Sequence, residues 1–183
     1  MTPRMVRKPA VKLAGFAFRT NTKDGEHSKT IPRFWHNYVT DGKMEKLHME
    51  SFIKSHDEYG ACFPVNPKTG EFEYVIGMEV KDGHDVVKEY HVCTIPEALY
   101  AIFSSAPADK LNFSSAIQNT WKYIFAEWLP VSEYELASNG VGFELYDDRS
   151  LSETGKVCDI YIPLCAKTTV LQKSPPAGSA SSI

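Results

Sequence analysis

Apolar residues recur at two spacings along the chain, one typical of strands and one typical of helices. In segment 11–18, Phe16 and Phe18 fall on one face of an extended chain, which predicts a strand. After a polar loop, Thr30 can cap a helix, and Pro32 is tolerated in the first turn of that helix. The apolar residues on one face of this predicted helix are Ile31, Phe34, Trp35 and Tyr38.

A hairpin is predicted after the first helix. Segments 59–65 and 72–80 both have the composition of strands, and residues 66–70 between them contain the Asn, Pro and Gly that favour a turn. Between the helix and the hairpin, Gly42 interrupts the helical pattern and segment 44–53 adds one or two helical turns. Together these elements form a β-α-β-β unit.

The second half of the chain predicts the same unit again. A short strand at 99–103 precedes a long helix, which Asn112 opens and Pro130 ends. The apolar residues at helical spacing in this helix are Phe113, Ile117, Trp121, Ile124 and Trp128. Segments 140–146 and 157–164 then form another hairpin. The predicted fold class is therefore α+β, with duplicated β-α-β-β units and an antiparallel sheet.

Both units are predicted to lie in one domain, residues 1–166, because no linker separates them. The halves of this domain run from about 10 to 81 and from about 88 to 166. Segment 167–183 ends in a run of Ser, Pro, Gly and Ala, and it is predicted to be a disordered tail.

Composition and charge narrow the function classes. The 183 residues are 43% hydrophobic and 23% charged, which is ordinary for a soluble globular protein. No stretch approaches the roughly 20 apolar residues of a membrane span, and the N-terminal segment lacks the apolar core of a secretory signal, so we expect a cytoplasmic protein. A net charge of −3 offers no domain-wide basic field to a nucleic acid. We therefore expect no direct DNA binding.

The cysteines and histidines show no metal-binding pattern. No two of the four cysteines, Cys62, Cys93, Cys158 and Cys165, form a C-x-x-C pair. The pairs His48 and His56, and His84 and His91, do not match the H-E-x-x-H arrangement. We expect free thiols, no metal site and no cofactor.

One carboxylate stands out by its surroundings. Glu144 lies in segment 141–146, where every other residue is Val, Gly, Phe, Leu or Tyr. Strand alternation predicts that Glu144 and Tyr146 share a face, and Tyr161 of the partner strand joins them if the register permits it. A buried carboxylate is costly without a partner, so it is either protonated or balanced by a cation. The alternative interpretation is an ordinary solvent-facing glutamate on a half-exposed strand.

Four segments, in this order, resemble the GyrI-like effector-binding domain. They are 31–35 (IPRFW), 72–80 (FEYVIGMEV), 143–147 (FELYD) and 159–164 (DIYIPL). Within that family the chain is most similar to the stand-alone branch that includes the integron cassette proteins. The resemblance implies two halves related by an approximate two-fold axis, with two long helices that border a central ligand groove. It also implies a ligand-facing glutamate on the strand that carries Glu144. The chain departs from the AraC-type and MerR-type relatives, which are fused to a DNA-reading module.

Relatives of this kind bind lipophilic cations, and aromatic ring faces attract a cation by roughly 0.5–2 kcal/mol each. The expected ligand-binding residues are Glu144, Tyr161, Tyr146, Trp35, Tyr59, Tyr74 and Trp121. For Trp35 and Trp121 the alternative is a core position, because both fall at helical spacing among apolar residues. The expected partner is a small lipophilic, cationic molecule, and the oligomeric state is left open.

Three functions remain open at this point. We favour binding of the cation by a sensor or sequestering protein. Some relatives resemble hydrolases that open strained electrophiles, and here Glu144 would activate water while Tyr161 or Tyr146 protonates the leaving group. The third possibility is a protein-interaction role such as gyrase modulation. The usual signatures of nucleotide binding and acyl transfer, such as the P-loop, G-x-G-x-x-G and G-x-S-x-G, are absent from the sequence.

Overall fold

A computed structural model describes residues 1–66 and 68–167, and in this part of the chain nine strands form one antiparallel sheet. The strands are β1 (Arg4–Lys8), β2 (Val11–Asn21), β3 (Ile53–Asn66), β4 (Glu71–Val80), β5 (His91–Ile95), β6 (Ala98–Ser104), β7 (Tyr134–Leu136), β8 (Gly142–Tyr146) and β9 (Asp159–Ala166). The helices are α1 (Glu26–Thr40), α2 (Lys43–His48), α3 (Phe113–Tyr123), α4 (Leu129–Val131) and α5 (Asp148–Leu151). The predicted α+β class is confirmed. The predicted tail lies outside the described residues except for Lys167.

The sheet contains the predicted duplication. One β-α-β-β unit is formed by β2, α1, β3 and β4, and the other by β6, α3, β8 and β9. The units meet where β3 pairs with β8, and the antiparallel pairing relates them by an approximate two-fold axis. The strand that precedes each unit in the chain pairs with the other unit. β1 precedes the first unit and pairs with β6, and β5 precedes the second unit and pairs with β2. Neither edge strand is predicted from the sequence. β1 is almost entirely exposed, and β5 is only five residues long, with Ile95 its one fully buried residue.

Short connections require the sheet to curl. In the order β1-β6-β9-β8-β3-β4-β2-β5, a flat sheet would separate β1 from β2 by about 29 Å at roughly 4.8 Å per strand. The link from Lys8 to Val11 extends no more than about 11 Å. A link of the same length joins Ile95 of β5 to Ala98 of β6. The sheet therefore rolls toward one face, here called the rolled face.

The two faces of the sheet carry different cores. On the rolled face, Val11 from one end of the sheet and Tyr100 from the other join the same buried cluster, which is why this face is buried without a helix. The opposite face, here called the helical face, packs α1 against Tyr74 and α3 against Ile160. The face onto which a strand residue projects therefore decides which core it joins.

The first long helix begins earlier than the predicted cap. α1 starts at Glu26, because Gly25 takes a left-handed conformation (φ 68°) that redirects the chain into the helix. Thr30 consequently lies inside the helix, where its hydroxyl donates to the carbonyl of Glu26 at 3.1 Å. Pro32 also lies in the interior, so the carbonyl of Ser28 loses its usual intrahelical donor.

The second long helix begins after Asn112, as predicted, and reaches Val131 through a π-helical turn at Ile124–Trp128. Pro130 does not end it at once, since it occupies the first turn of α4. Among the described residues, no helix is long and apolar enough to cross a membrane. Within the same ranges, no three His, Cys, Asp or Glu side chains converge to hold a metal ion.

Candidate functional site

The candidate site forms at the centre of the sheet, where the two units meet. The β3–β8 register pairs Glu144 with Gly60 and Tyr146 with Glu58, so these positions share the helical face. A Cβ atom on Gly60 would lie 2.2 Å from the Tyr74 hydroxyl and 2.9 Å from Oε2 of Glu144. Glycine at position 60 therefore leaves the space in which Tyr74 reaches Glu144.

Three neutral donors surround the Glu144 carboxylate, which is only 7% exposed. Nε1 of Trp121 donates to Oε1 at 2.7 Å, and the hydroxyls of Tyr146 and Tyr74 donate to Oε2 at 2.8 and 2.9 Å. Hydrogen bonds to a charged acceptor contribute roughly 1.5–3 kcal/mol each. Among the described residues, no Lys, Arg or His side chain forms an ion pair with this carboxylate.

Two opposing effects set the pKa of Glu144. Burial disfavours the charged form and raises the pKa, whereas the three hydrogen bonds lower it, and burial is the larger effect. Burial and the charge of Glu144 raise the pKa of Tyr74 and Tyr146 well above the ordinary phenol value. Both phenols therefore stay protonated at neutral pH and remain hydrogen-bond donors.

Each long helix contributes one tryptophan to the site. Trp35 of α1 donates from Nε1 to the Tyr74 hydroxyl at 2.8 Å, and its ring centroid lies 4.7 Å from that of Tyr146. Trp121 of α3 stacks on Phe125 with ring centroids 5.8 Å apart and an angle of 6°. The carboxylate is thus enclosed by rings, and we call Glu144 with Tyr74, Tyr146, Trp35 and Trp121 the aromatic cage.

Five of the seven expected ligand-binding residues make up the aromatic cage, and the other two, Tyr59 and Tyr161, lie on the rolled face. The β8–β9 register pairs Tyr161 with Phe143, and their rings stack at 4.4 Å and 12°. Glu144 pairs instead with Ile160. The expectation that Tyr161 shares a face with Glu144 is therefore wrong. Tyr59 belongs to the same rolled-face core and packs 5.4 Å from Phe143.

Sequence reasoning did not find several residues next to the cage. Cys62 is a half-buried neighbour, and the pKa of its thiol is raised first by burial and then by the charge of Glu144. Phe125 extends the stack of Trp121 towards solvent and is 46% exposed. Glu58 stands two positions before Gly60 in β3. Strand alternation predicts that Glu58 lies on the same face as Glu144 only when the register between β3 and β8 is known.

Two open depressions lie elsewhere on the surface. One, of about 360 Å³, is lined by residues 106–108 and the first turns of α3. The other, of about 270 Å³, lies beside Cys165 and residues 137–140. Neither is lined by Glu144 or by its three donors. In this structure the carboxylate is covered, so a ligand reaches it only when cage rings move.

Known proteins share the fold that builds this site. The protein SAV2435, solved with bound tetraphenylphosphonium, superimposes with a TM-score of 0.74 at 18% identity, over 90% of this chain and 94% of SAV2435. An integron cassette protein from Vibrio cholerae gives a TM-score of 0.63 at 14% identity, over 90% and 96% of the two chains. At these identities the likeness concerns the fold alone.

Sequence comparison identifies the family. The transcriptional regulator BrlR of Pseudomonas aeruginosa is 27% identical over 170 residues, which cover 90% of this chain. The aligned region is 56% of BrlR, so this chain spans little more than half the length of that regulator. The family model of the integron-associated effector-binding proteins (Cass2) matches residues 4–164. This protein therefore belongs to the integron-associated effector-binding protein family.

Proposed function

We propose that this effector-binding domain takes up a small lipophilic cation in the aromatic cage around Glu144 and acts as a sensor or a sequestering protein. The observation that carries the proposal is a buried carboxylate whose hydrogen-bond partners, among the described residues, are all neutral. A bound cation supplies the opposite charge, and the rings of Trp35, Trp121 and Tyr146 supply π-faces for it. Lipophilic character follows from the same surroundings, because the cage offers ring surface and no charged side chain besides Glu144.

The magnitude of the charge effect is large enough to dominate binding. A cation about 5 Å from the carboxylate gains roughly 3 kcal/mol at an effective dielectric constant near 20. That is on the order of a hundredfold in affinity. The binding of tetraphenylphosphonium by SAV2435, which has the same fold, supports a cation of this kind. The likeness to the regulator BrlR supports a sensing role.

The hydrolase hypothesis receives less support from the geometry. Tyr161 faces away from Glu144, so it cannot protonate a leaving group next to that base. Tyr146 is within reach at 2.8 Å, but its pKa is raised well above the ordinary value, first by burial. A general acid is most effective when its pKa lies near the operating pH. Binding therefore fits these residues better than hydrolysis does.

The test compares a cation with a neutral molecule of similar shape. Methyltriphenylphosphonium and triphenylphosphine oxide are titrated calorimetrically into the parent protein and into Glu144→Gln. Glutamine preserves the shape of the side chain. Its side-chain carbonyl oxygen can accept from Trp121, and the tyrosine hydroxyls can rotate to accept from its amide nitrogen. Loss of one partner of a desolvated charge pair costs about 2–5 kcal/mol, so cation affinity should fall by roughly 30-fold to several thousandfold.

Two controls complete this experiment. Glu153→Gln removes the same charge from an exposed loop residue and should leave both affinities unchanged. The phosphine oxide should lose little affinity in Glu144→Gln, since its contacts are to ring surface. Equal cation affinities in the parent and Glu144→Gln would remove Glu144 from the site. Incubation of the protein with a strained electrophile such as an epoxide, followed by mass spectrometry of the small molecule, separates binding from hydrolysis. An intact epoxide indicates binding, and a ring-opened product indicates hydrolysis.

A further inference from the structure

A second carboxylate lies beside Glu144 on the helical face. Glu58 pairs with Tyr146 across β3 and β8, directly next to the pair formed by Gly60 and Glu144. Diagonal neighbours of this kind on one face of an antiparallel pair lie about 7–8 Å apart. The Glu58 side chain is only 12% exposed. The strand positions of these two acidic residues therefore lie within one small molecule's length of each other.

Hydrogen bonds fix Glu58 through one of its two oxygens. Oε1 accepts from the Tyr38 hydroxyl at 2.8 Å and from Nε2 of His48 at 3.0 Å. Nδ1 of His48 lies 3.0 Å from Nδ1 of His56. Because a carboxylate oxygen only accepts, Nε2 of His48 is the donor in its hydrogen bond to Glu58. Within the described residues, Oε2 of Glu58 makes no hydrogen bond and no ion pair.

Two rings connect the carboxylates. Tyr146 donates to Glu144 and occupies the position paired with Glu58. The ring of Trp35 lies 4.7 Å from the ring of Tyr146 and 5.8 Å from that of Tyr38, which is the donor to Glu58. A flat aromatic ligand packed on the rings of Trp35 and Tyr146 would therefore have a carboxylate near each end.

We infer that Glu58 is a second acidic subsite of the aromatic cage, and that the protein prefers flat aromatic dications to monocations of the same shape. This inference rests on the proposed function, in which Glu144 balances the first positive charge. A monocation leaves the unpartnered oxygen of Glu58 without a counter-charge. A dication brings a positive group to both carboxylates and so gains the second charge interaction.

Two probes of nearly identical shape isolate the second charge. Methyl viologen and N-methyl-4-phenylpyridinium are both flat biaryls, and the first carries one more positive charge at its far end. The calorimetric titrations are run at about pH 8, above the ordinary pKa range of imidazole. Under this condition the charge of the ligand is the only charge that differs between the two titrations of each protein. The parent protein should bind methyl viologen on the order of tenfold more tightly or better. Glu58→Gln should abolish most of this preference while leaving N-methyl-4-phenylpyridinium nearly unaffected.

The control variants separate this inference from the function on which it rests. Glu144→Gln should weaken both probes, and Glu153→Gln should weaken neither. Glu58→Asp keeps the charge and should retain a preference for methyl viologen, which gives a folded reference if Glu58→Gln is unstable. If the parent binds both probes equally, or if the preference for methyl viologen survives in Glu58→Gln, the role of Glu58 is overturned but the proposed function still stands. Binding of N-methyl-4-phenylpyridinium that does not depend on Glu144 would overturn the proposed function.

Discussion

Replacing Gly60 with alanine is a direct test of how the aromatic cage is built. The new Cβ atom would lie 2.2 Å from the Tyr74 hydroxyl, 2.9 Å from Oε2 of Glu144 and 3.0 Å from Cζ of Tyr74. Real Cβ atoms do not approach other atoms at 2.2 Å, so the Tyr74 hydroxyl has to move. The new carbon crowds both atoms of the hydrogen bond between Tyr74 and Glu144, so we expect this bond to be lost.

The expected cost follows from these contacts. Loss of a hydrogen bond to a charged acceptor removes roughly 1.5–3 kcal/mol, and an added carbon in a packed site costs typically 1–3 kcal/mol. Alanine in place of glycine in a strand recovers roughly 0.5–1 kcal/mol of backbone entropy. Gly60→Ala should therefore lower the free energy of unfolding by about 2–5 kcal/mol.

Urea unfolding of four proteins measures this effect: the parent, Gly60→Ala, Tyr74→Phe and the double variant. In the Tyr74→Phe background the clashing hydroxyl and its two hydrogen bonds, to Glu144 and from Trp35, are already gone, so Gly60→Ala should cost about 1.5–3 kcal/mol less. Gly142→Ala is the matched control in β8, since its Cβ atom would meet the Trp121 ring at an ordinary 3.5 Å. We expect that control to change stability by less than about 1 kcal/mol. A cost of Gly60→Ala that is small, or identical in both backgrounds, would refute the packing argument.

Two further predictions concern pH and DNA. Because burial raises the pKa of Glu144 in the folded protein, its protonation favours the fold. The free energy of unfolding of the parent, measured in urea relative to Glu144→Gln, should therefore fall as pH rises from the ordinary glutamate range through the raised pKa. A difference between the two proteins that does not change with pH would contradict this prediction. Cation affinity should rise across the same window, since the ligand pairs with the ionised form. For DNA, the net charge of −3 predicts no sequence-specific binding, and a salt-sensitive, sequence-selective gel shift with the purified chain would show otherwise.

The parts of the site that depend on local pattern could be predicted from the sequence. Glu144 and Tyr146 are two positions apart in one strand, so alternation alone places them on one face. Trp121 follows the helical spacing of α3, and that spacing predicts that it faces the sheet. The duplicated β-α-β-β order was also readable, because each unit repeats the same sequence of strand, helix and hairpin.

The parts that depend on strand register could not be predicted. Residues 147–158 connect β8 to β9 and include α5, and no turn signal in the sequence fixes the pairing across a connection of this length. A shift by one residue moves every side chain of a strand to the other face. For that reason alternation alone places Tyr161 on the face of Glu144 only if the register permits it, and the observed register pairs Tyr161 with Phe143 on the rolled face. The position of Gly60 opposite Glu144 depends in the same way on the pairing of β3 with β8.

Because rings cover Glu144, a ligand binds only if its interactions in the cage exceed the ring contacts that it replaces. In this structure the rings of Trp35 and Tyr146 contact each other, and Trp121 stacks on Phe125. A neutral aromatic ligand exchanges these ring contacts for similar ones, and such an exchange gives little net free energy. A cation adds a charge attraction to the carboxylate that the three neutral donors do not provide. The cage should therefore discriminate by charge more strongly than by shape.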